Sequence, residues 1–160
     1  MLTFEAVGVR IRPFHSSDQI AAQNLILAGL EEHWGFLDPT LNPDLDDIIG
    51  VYGQETFLVA EAGSHIVGTG ALIHQTEGVA CIVRMSVDKN MRRKGIGRKI
   101  LSALCDAAKQ QGYRQIVLET TSTWGDAIAF YQQYGFQIVE TQEGDTHFLL
   151  NIDNGINAQL

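Results

Sequence analysis

The run Arg92-Arg93-Lys94-Gly95-Ile96-Gly97 carries residue types that suit the capture of an anion. Three cations stand in a row, two glycines follow, and a helix-forming stretch begins behind them. The first turn of a helix has backbone N–H groups without internal partners, and the helix dipole makes that end positive. Glycine lets a phosphate approach the backbone closely. The spacing is not the GxGxxG of dinucleotide-binding folds. No Lys-Ser/Thr pair follows Gly97 as a P-loop requires. Taken alone, the loop serves equally as a solvated turn between a strand and a helix. Its setting makes it stand out: the chain has 11 Lys and Arg against 19 Asp and Glu, a net charge of −8.

Two elements must position this loop. Val79–Val87, VACIVRMSV, reads as the strand before it. The helix after it places Ile100, Leu101, Leu104, Cys105 and Ala108 on one face, with Gly112 as its stop. Upstream, Val7–Phe14 alternates like a strand, and Ser16 with Gln19 resembles a capping box. Asn42 before Pro43 reads as the N-cap of a second helix. Glu55–Glu61, His65–His74 and Val79–Val87 are strands joined by short Gly-bearing turns, an antiparallel meander. Tyr113–Thr120 follows as a strand, so the loop helix forms a crossover between parallel strands. Thr123 with Asp126 reads as a capping box for a helix that Gly135 ends. FQIVET and THFLLNI around QEGD form a closing hairpin. The fold class is α/β with mixed α+β character, a single domain over 1–160 with its core in 7–152 and a polar C-terminal tail.

Composition excludes several classes. An acidic chain offers no basic face to nucleic acid. No apolar run reaches the ~20 residues of a membrane span, and the N-terminus lacks the pattern of a signal peptide. Cys81 and Cys105 have no metal-ligand spacing and read as reduced thiols of a cytoplasmic protein. His15, His65, His74 and His147 are scattered, so no metal site is expected.

The loop and a second stretch together resemble the GNAT acyltransferase superfamily. Arg92, Gly95 and Gly97 match its acyl-CoA loop, Gln or Arg followed by two residues, Gly, one residue, then Gly or Ala. Phe130, Tyr131, Gly135 and Phe136 match its recurrent Phe-Tyr and Gly-Phe pairs. The element order agrees from Val7 to Ile152. The resemblance implies a mixed central sheet with splayed strands and helices on both faces. It implies acetyl-CoA as co-substrate, its diphosphate held at Arg92, Arg93, Lys94, Gly95, Ile96, Gly97 and Arg98. Met85, Ser86 and Val87 would pair with the pantetheine arm, and a bulge there would open the strands. Tyr131 would protonate the thiolate. An ordinary tyrosine is neutral below about pH 10, so the rate would decline in alkali.

Two positions depart from the family. Cys81 stands where some members carry a glutamate base, and Trp124 stands where many carry a pantetheine-binding asparagine. The base therefore stays open among Glu119, Glu32 and His33, with a water relay or an already neutral amine equally compatible. Arg84, mid-strand, reads either as an anchor for a substrate carboxylate or as a structural residue, paired with Glu119 or solvated. Trp34 and Phe36 fall in the segment that shapes the family's acceptor pocket. The leading expectation is an acetyl-CoA-dependent N-acetyltransferase acting on a small-molecule or amino-acid-like amine, as a monomer or a homodimer. The alternatives are acetylation of protein N-termini or lysines, and a non-catalytic acyl-CoA sensor.

Overall fold

The computed structural model describes residues 8–152. The elements are β1 (Arg10–Pro13), α1 (Gln19–Trp34), α2 (Ile48–Tyr52), β2 (Thr56–Ala62), β3 (His65–Thr76) and β4 (Val79–Val87). They continue with α3 (Ile96–Gln110), β5 (Gln115–Thr121), α4 (Gly125–Tyr134), β6 (Gln137–Gln142) and β7 (Asp145–Asn151). Short 3-10 turns occupy Ser16–Asp18, Pro43–Asp46 and Lys89–Met91. The strands form one seven-stranded mixed sheet in the order β1-β2-β3-β4-β5-β7-β6. Strand β4 pairs with β5 in parallel, while β1–β2, β5–β7 and β6–β7 are antiparallel. The parallel ladder runs from Val79–Gln115 to Cys81–Val117.

The chain clusters into two compact units, residues 8–71 with 84–104, and 72–83 with 105–152. The core of the first holds Leu45, Ile48, Val59, Ile96, Ile100 and Leu101, all buried. Phe57 stacks edge-on against Phe14 and is tilted against Tyr52, both at 5.2 Å. Helix α3 lies close on β3 because β3 carries no side chain at two points. A Cβ at Gly68 would lie 2.7 Å from Ile100 Cδ1, and one at Gly70 would lie 2.6 Å from Met85 Sδ. The core of the second unit joins Ile116, Leu118, Phe148, Tyr131 and Phe136.

Three helix starts differ from the sequence reading. Ahead of α1, in place of a Ser16–Gln19 box, His15 caps the 3-10 turn Ser16–Asp18, its N–H donating to Asp18 Oδ2 at 2.8 Å. Arg12 locks the same carboxylate with two bonds of 2.8 and 2.9 Å. Asn42 heads a 3-10 turn, and α2 starts only at Ile48. There Asp47 is the cap, its carboxylate accepting from Gly50 N–H at 3.1 Å. Asn42 has φ +64 and makes no capping bond, since its Oδ1 accepts from Arg84. Helix α4 is entered from Trp124 without a side-chain cap, so Thr123 and Asp126 form no capping box.

Candidate active site

The loop after β4 is built from backbone bonds. Asp88 N–H donates to Val67 O at 2.9 Å, and Asp88 Oδ1 accepts from Asn90 N–H at 2.8 Å. Arg93 has φ +63 and Gly95 φ +83, so the chain turns twice through the left-handed region before α3. Nothing lies within 4 Å of a Cβ added to Gly95. Glycine is favoured there by its dihedral, not by crowding. Ile96 is buried and anchors the first turn. The first bond inside the helix is Lys99 N–H to Gly95 O, 3.0 Å. The amides of Ile96, Gly97 and Arg98 therefore have no acceptor within the helix and form an anion seat. Arg92, Arg93, Lys94 and Arg98 are all exposed around it.

Arg92 is tethered as well. Its Nε donates to Val87 O at 3.2 Å, and its Nη2 lies 2.7 Å from Glu32 Oε1. The arginine holds the Glu32 carboxyl below its ordinary value, which makes Glu32 a weak base. A cleft of about 400 Å³ is lined here by Leu25, Gly29, Glu32, Val87, Asn90 and Arg92. A Cβ on Gly29 would stand 3.2 Å from Ser86 Oγ, so α1 passes close over the end of β4. Met85, Ser86 and Val87 are half-buried.

Arg84 interrupts β4 with φ +58, a left-handed conformation in a non-glycine residue. Its side chain meets Asp44 through two bonds, Nε to Oδ2 at 2.9 Å and Nη2 to Oδ1 at 2.6 Å. Nη2 also donates to Asn42 Oδ1 at 3.1 Å, and Tyr52 donates to Asp44 Oδ2 at 2.5 Å. Burial pulls the Asp44 carboxyl upward, yet the bonds from Arg84 and Tyr52 and the guanidinium charge leave it below its ordinary value. Burial and the Asp44 bond push the Tyr52 phenol up to about 12. The expected pairing of Arg84 with Glu119 is replaced by Asp44. The face of the fork expected to grip a substrate carboxylate is taken up by a carboxylate of the protein.

In the second unit Tyr131 sits in an aromatic cluster, with ring centroids 5.1 Å from Phe130, 5.8 Å from Phe136 and 5.6 Å from Phe148. Burial pushes its phenol well above the ordinary value. The group is neutral at neutral pH, and the alkaline decline expected from the sequence shifts to higher pH. Glu119 is exposed, and its Oε2 lies 3.4 Å from Nδ1 of His147, its register partner on β7. Burial, with the Glu119 charge second, pushes the Cys81 thiol up to about 11. That thiol is protonated at neutral pH and a poor nucleophile.

Residues 53–138 match the family model of the acetyltransferase (GNAT) domain, more than half of the chain. The chain belongs to the GNAT family. It is 30% identical over 110 residues to the uncharacterized N-acetyltransferase YjgM of Escherichia coli, covering 66% of each chain. It is 33% identical over 110 residues to human N-acetyltransferase 8B, covering 64% of this chain and 48% of the other. The match thus spans about two thirds of the first relative's length and just under half of the second's. Over 113 residues it is 32% identical to an IAA acetyltransferase of Azospirillum brasilense, covering 69% of this chain and 74% of that one. A GNAT acetyltransferase of Staphylococcus aureus superposes with a TM-score of 0.83 at 24% identity, over 91% of this chain and 99% of its own. The PaiA N-acetyltransferase of Thermoplasma acidophilum, solved with coenzyme A, gives 0.80 at 17% identity, over 90% and 99%. At these identities the structural likeness is one of fold.

The GNAT motif residues thus divide between the units. The loop, Met85–Val87, Arg84 and Glu32 lie in the first; Tyr131, Glu119 and Cys81 lie in the second. Trp34 and Phe36 are 51% and 66% exposed, on a surface rather than in an enclosed pocket. Sequence reading missed Asp44, Asn42 and Tyr52 as partners of Arg84, and His147 as the partner of Glu119. The second follows from the β5–β7 register, between strands that are not consecutive in the chain. Among the described residues, no group of three or more His, Cys, Asp or Glu side chains could hold a metal, and no helix is long and apolar enough to cross a membrane.

Proposed function

We propose that this GNAT chain acts as one domain that transfers the acetyl group of acetyl-CoA to the amine of a small-molecule or amino-acid-like acceptor. The reading rests on one observation: three helix-N-terminal amides, Ile96 to Arg98, left without helical acceptors behind a basic loop. A diphosphate carries the charge and the lone pairs that this seat lacks. Arg92, Arg93, Lys94 and Arg98 supply charge, Gly95 and Gly97 the close backbone, and Met85–Val87 the strand edge for the pantetheine arm.

The chemistry is direct transfer. The amine gives up a proton, its nitrogen bonds to the thioester carbon, and the carbon–sulfur bond breaks with the electron pair leaving on sulfur. The thiolate then takes a proton. A neutral Tyr131 is suited to give it, and we assign it that role. Glu119 is assigned as base, since Glu32 is held by Arg92 and the Cys81 thiol stays protonated. That protonated thiol also favours direct attack over a covalent acyl-cysteine. We place Trp34 and Phe36 at the rim of the acceptor site. Their exposure, with Leu41 also exposed, favours a second reading in which the acceptor is a peptide amine.

The test is thiol release from acetyl-CoA across small amines, amino acids and peptides. Turnover on a small amine supports the proposal. Turnover on peptides alone supports the second reading. Binding of acetyl-CoA without turnover on any amine would replace both with a sensor. In an active assay, Tyr131→Phe lowers turnover ~10²-fold, the lower end of general acid assistance.

A further inference from the structure

Strand alternation would carry Arg84 into the core after the buried Ala80 and Ile82. The chain avoids this by turning Arg84 to φ +58. Met85 then packs its sulfur over Gly70, near Ile100 and Leu104, where a β-carbon on Gly70 would collide with all three. Such a residue persists only where its surroundings over-determine it, and it marks a functional hypothesis worth following.

Here the over-determination is visible. The guanidinium is gripped twice by Asp44 and once by Asn42. Asn42 is itself left-handed, at φ +64. Tyr52 steadies Asp44 from the other side. The backbone is gripped as well: Arg84 O accepts from Thr69 Oγ1 at 2.8 Å, and Thr69 is fully buried. The peptide between Arg84 and Met85 is trans, so its N–H points opposite to its C=O. With the carbonyl turned to Thr69, the Met85 N–H is aimed away from it. The side-chain clamp and the Thr69 bond therefore fix one peptide plane between them.

We infer that Asp44 is a positioning residue for acyl transfer: through Arg84 it holds the left-handed turn in β4, and that turn aims the Met85 N–H at the oxyanion of the tetrahedral intermediate. The inference rests on the acyl-transfer reading. It gives Arg84 a role other than that of a carboxylate anchor, and it brings in Asp44, Tyr52 and Thr69. A donor aimed in advance at developing charge is worth ~10²–10³ in turnover when it is removed altogether. Loosening its mount forfeits part of that.

The test compares turnover, acetyl-CoA affinity and folding across a small set of variants. Asp44→Ala lowers kcat by roughly 10-fold or more, a part of the full donor effect, while acetyl-CoA affinity by calorimetry stays within about 2-fold. Arg84→Gly and Arg84→Ala both lose the fork, but only glycine accepts φ +58 without strain. Arg84→Gly therefore keeps several-fold more kcat than Arg84→Ala, an order opposite to the usual penalty for glycine in a strand. Thr69→Val removes the hydroxyl at nearly constant shape and lowers kcat in the same way. It carries the test if an Asp44 variant fails to fold, as judged by circular dichroism. Folded Asp44→Ala or Thr69→Val with wild-type kcat overturns the inference, as does equal kcat in the two Arg84 variants. A wild type that turns over no amine sinks the acyl-transfer reading first, and this role with it.

Discussion

Arg84 and Arg92 each pair with a carboxylate from the N-terminal third of the chain, yet the two pairs are built differently. Arg84 and Asp44 are 19% and 22% exposed; Arg92 and Glu32 are 42% and 45% exposed. The first pair is bidentate, shares Asn42 and Tyr52, and sits on a left-handed residue. The second is a single contact of 2.7 Å, with the other guanidinium bond going to Val87 O. Exposed pairs contribute ~0–1 kcal/mol and exchange partners readily. A partly buried, hydrogen-bonded pair is costly to break, because removing one member strands the other. Arg84 is thus fixed scaffolding. Arg92 is held by the weaker, more exposed pair, and under the proposed function it would trade its glutamate for a diphosphate.

The largest expected difference is in stability. Asp44→Ala costs about 1–2 kcal/mol, since it leaves a half-buried guanidinium and the Tyr52 hydroxyl short of a partner. Glu32→Ala costs at most about 0.5 kcal/mol. Urea unfolding of both variants decides, and equal losses would break the comparison.

A smaller difference lies in acid. The Asp44 carboxyl is depressed in the folded protein. Its contribution is therefore fully present above the unfolded value, ~3.9, and is lost as pH falls through the lower folded value. Arg84 stays charged throughout. Asp44→Asn should flatten the fall of stability below about pH 4. Glu32 is also depressed but widely exposed, so Glu32→Gln should flatten it less. Unfolding midpoints from pH 5 down to 2 test the order.

The smallest effect is on cofactor affinity. Glu32→Gln removes a competitor for Arg92 and one negative charge near the loop. Acetyl-CoA should bind about 2-fold tighter at low salt, with the gain fading toward ~1 M, where charges are screened beyond ~3 Å. A gain that persists in high salt would mean that Glu32 acts by something other than charge.

Sequence carried far for the loop and less far for the clamp, for one physical reason. The loop is local: cations, glycines and a helix start are contiguous, and the strand Val79–Val87 ends where its apolar run ends. The clamp joins residues 40 positions apart and depends on backbone angles that arginine and asparagine do not advertise. A glycine at position 84 would have signalled the left-handed turn; an arginine reads as an ordinary charged strand residue. Helix α4 shows the same limit, since Thr123 and Asp126 have capping types but Trp124 makes the entry. Tyr131 was legible by motif and not by environment, because the rings packed on it include Phe136, just past α4, and Phe148 on β7.

The central claim is that the open helix start holds the diphosphate of acetyl-CoA. Calorimetric titration of acetyl-CoA into the wild type and a folded Gly97→Val variant tests it most directly. Valine places a branched side chain where the phosphate must approach the amides. Hydrogen bonds to a charged group are worth ~1.5–3 kcal/mol each, so losing even one should weaken binding by roughly tenfold or more. Saturable binding by the wild type and a loss of that size in the variant are the predicted results. Equal affinities, or a wild type that takes up no acetyl-CoA, would contradict the account.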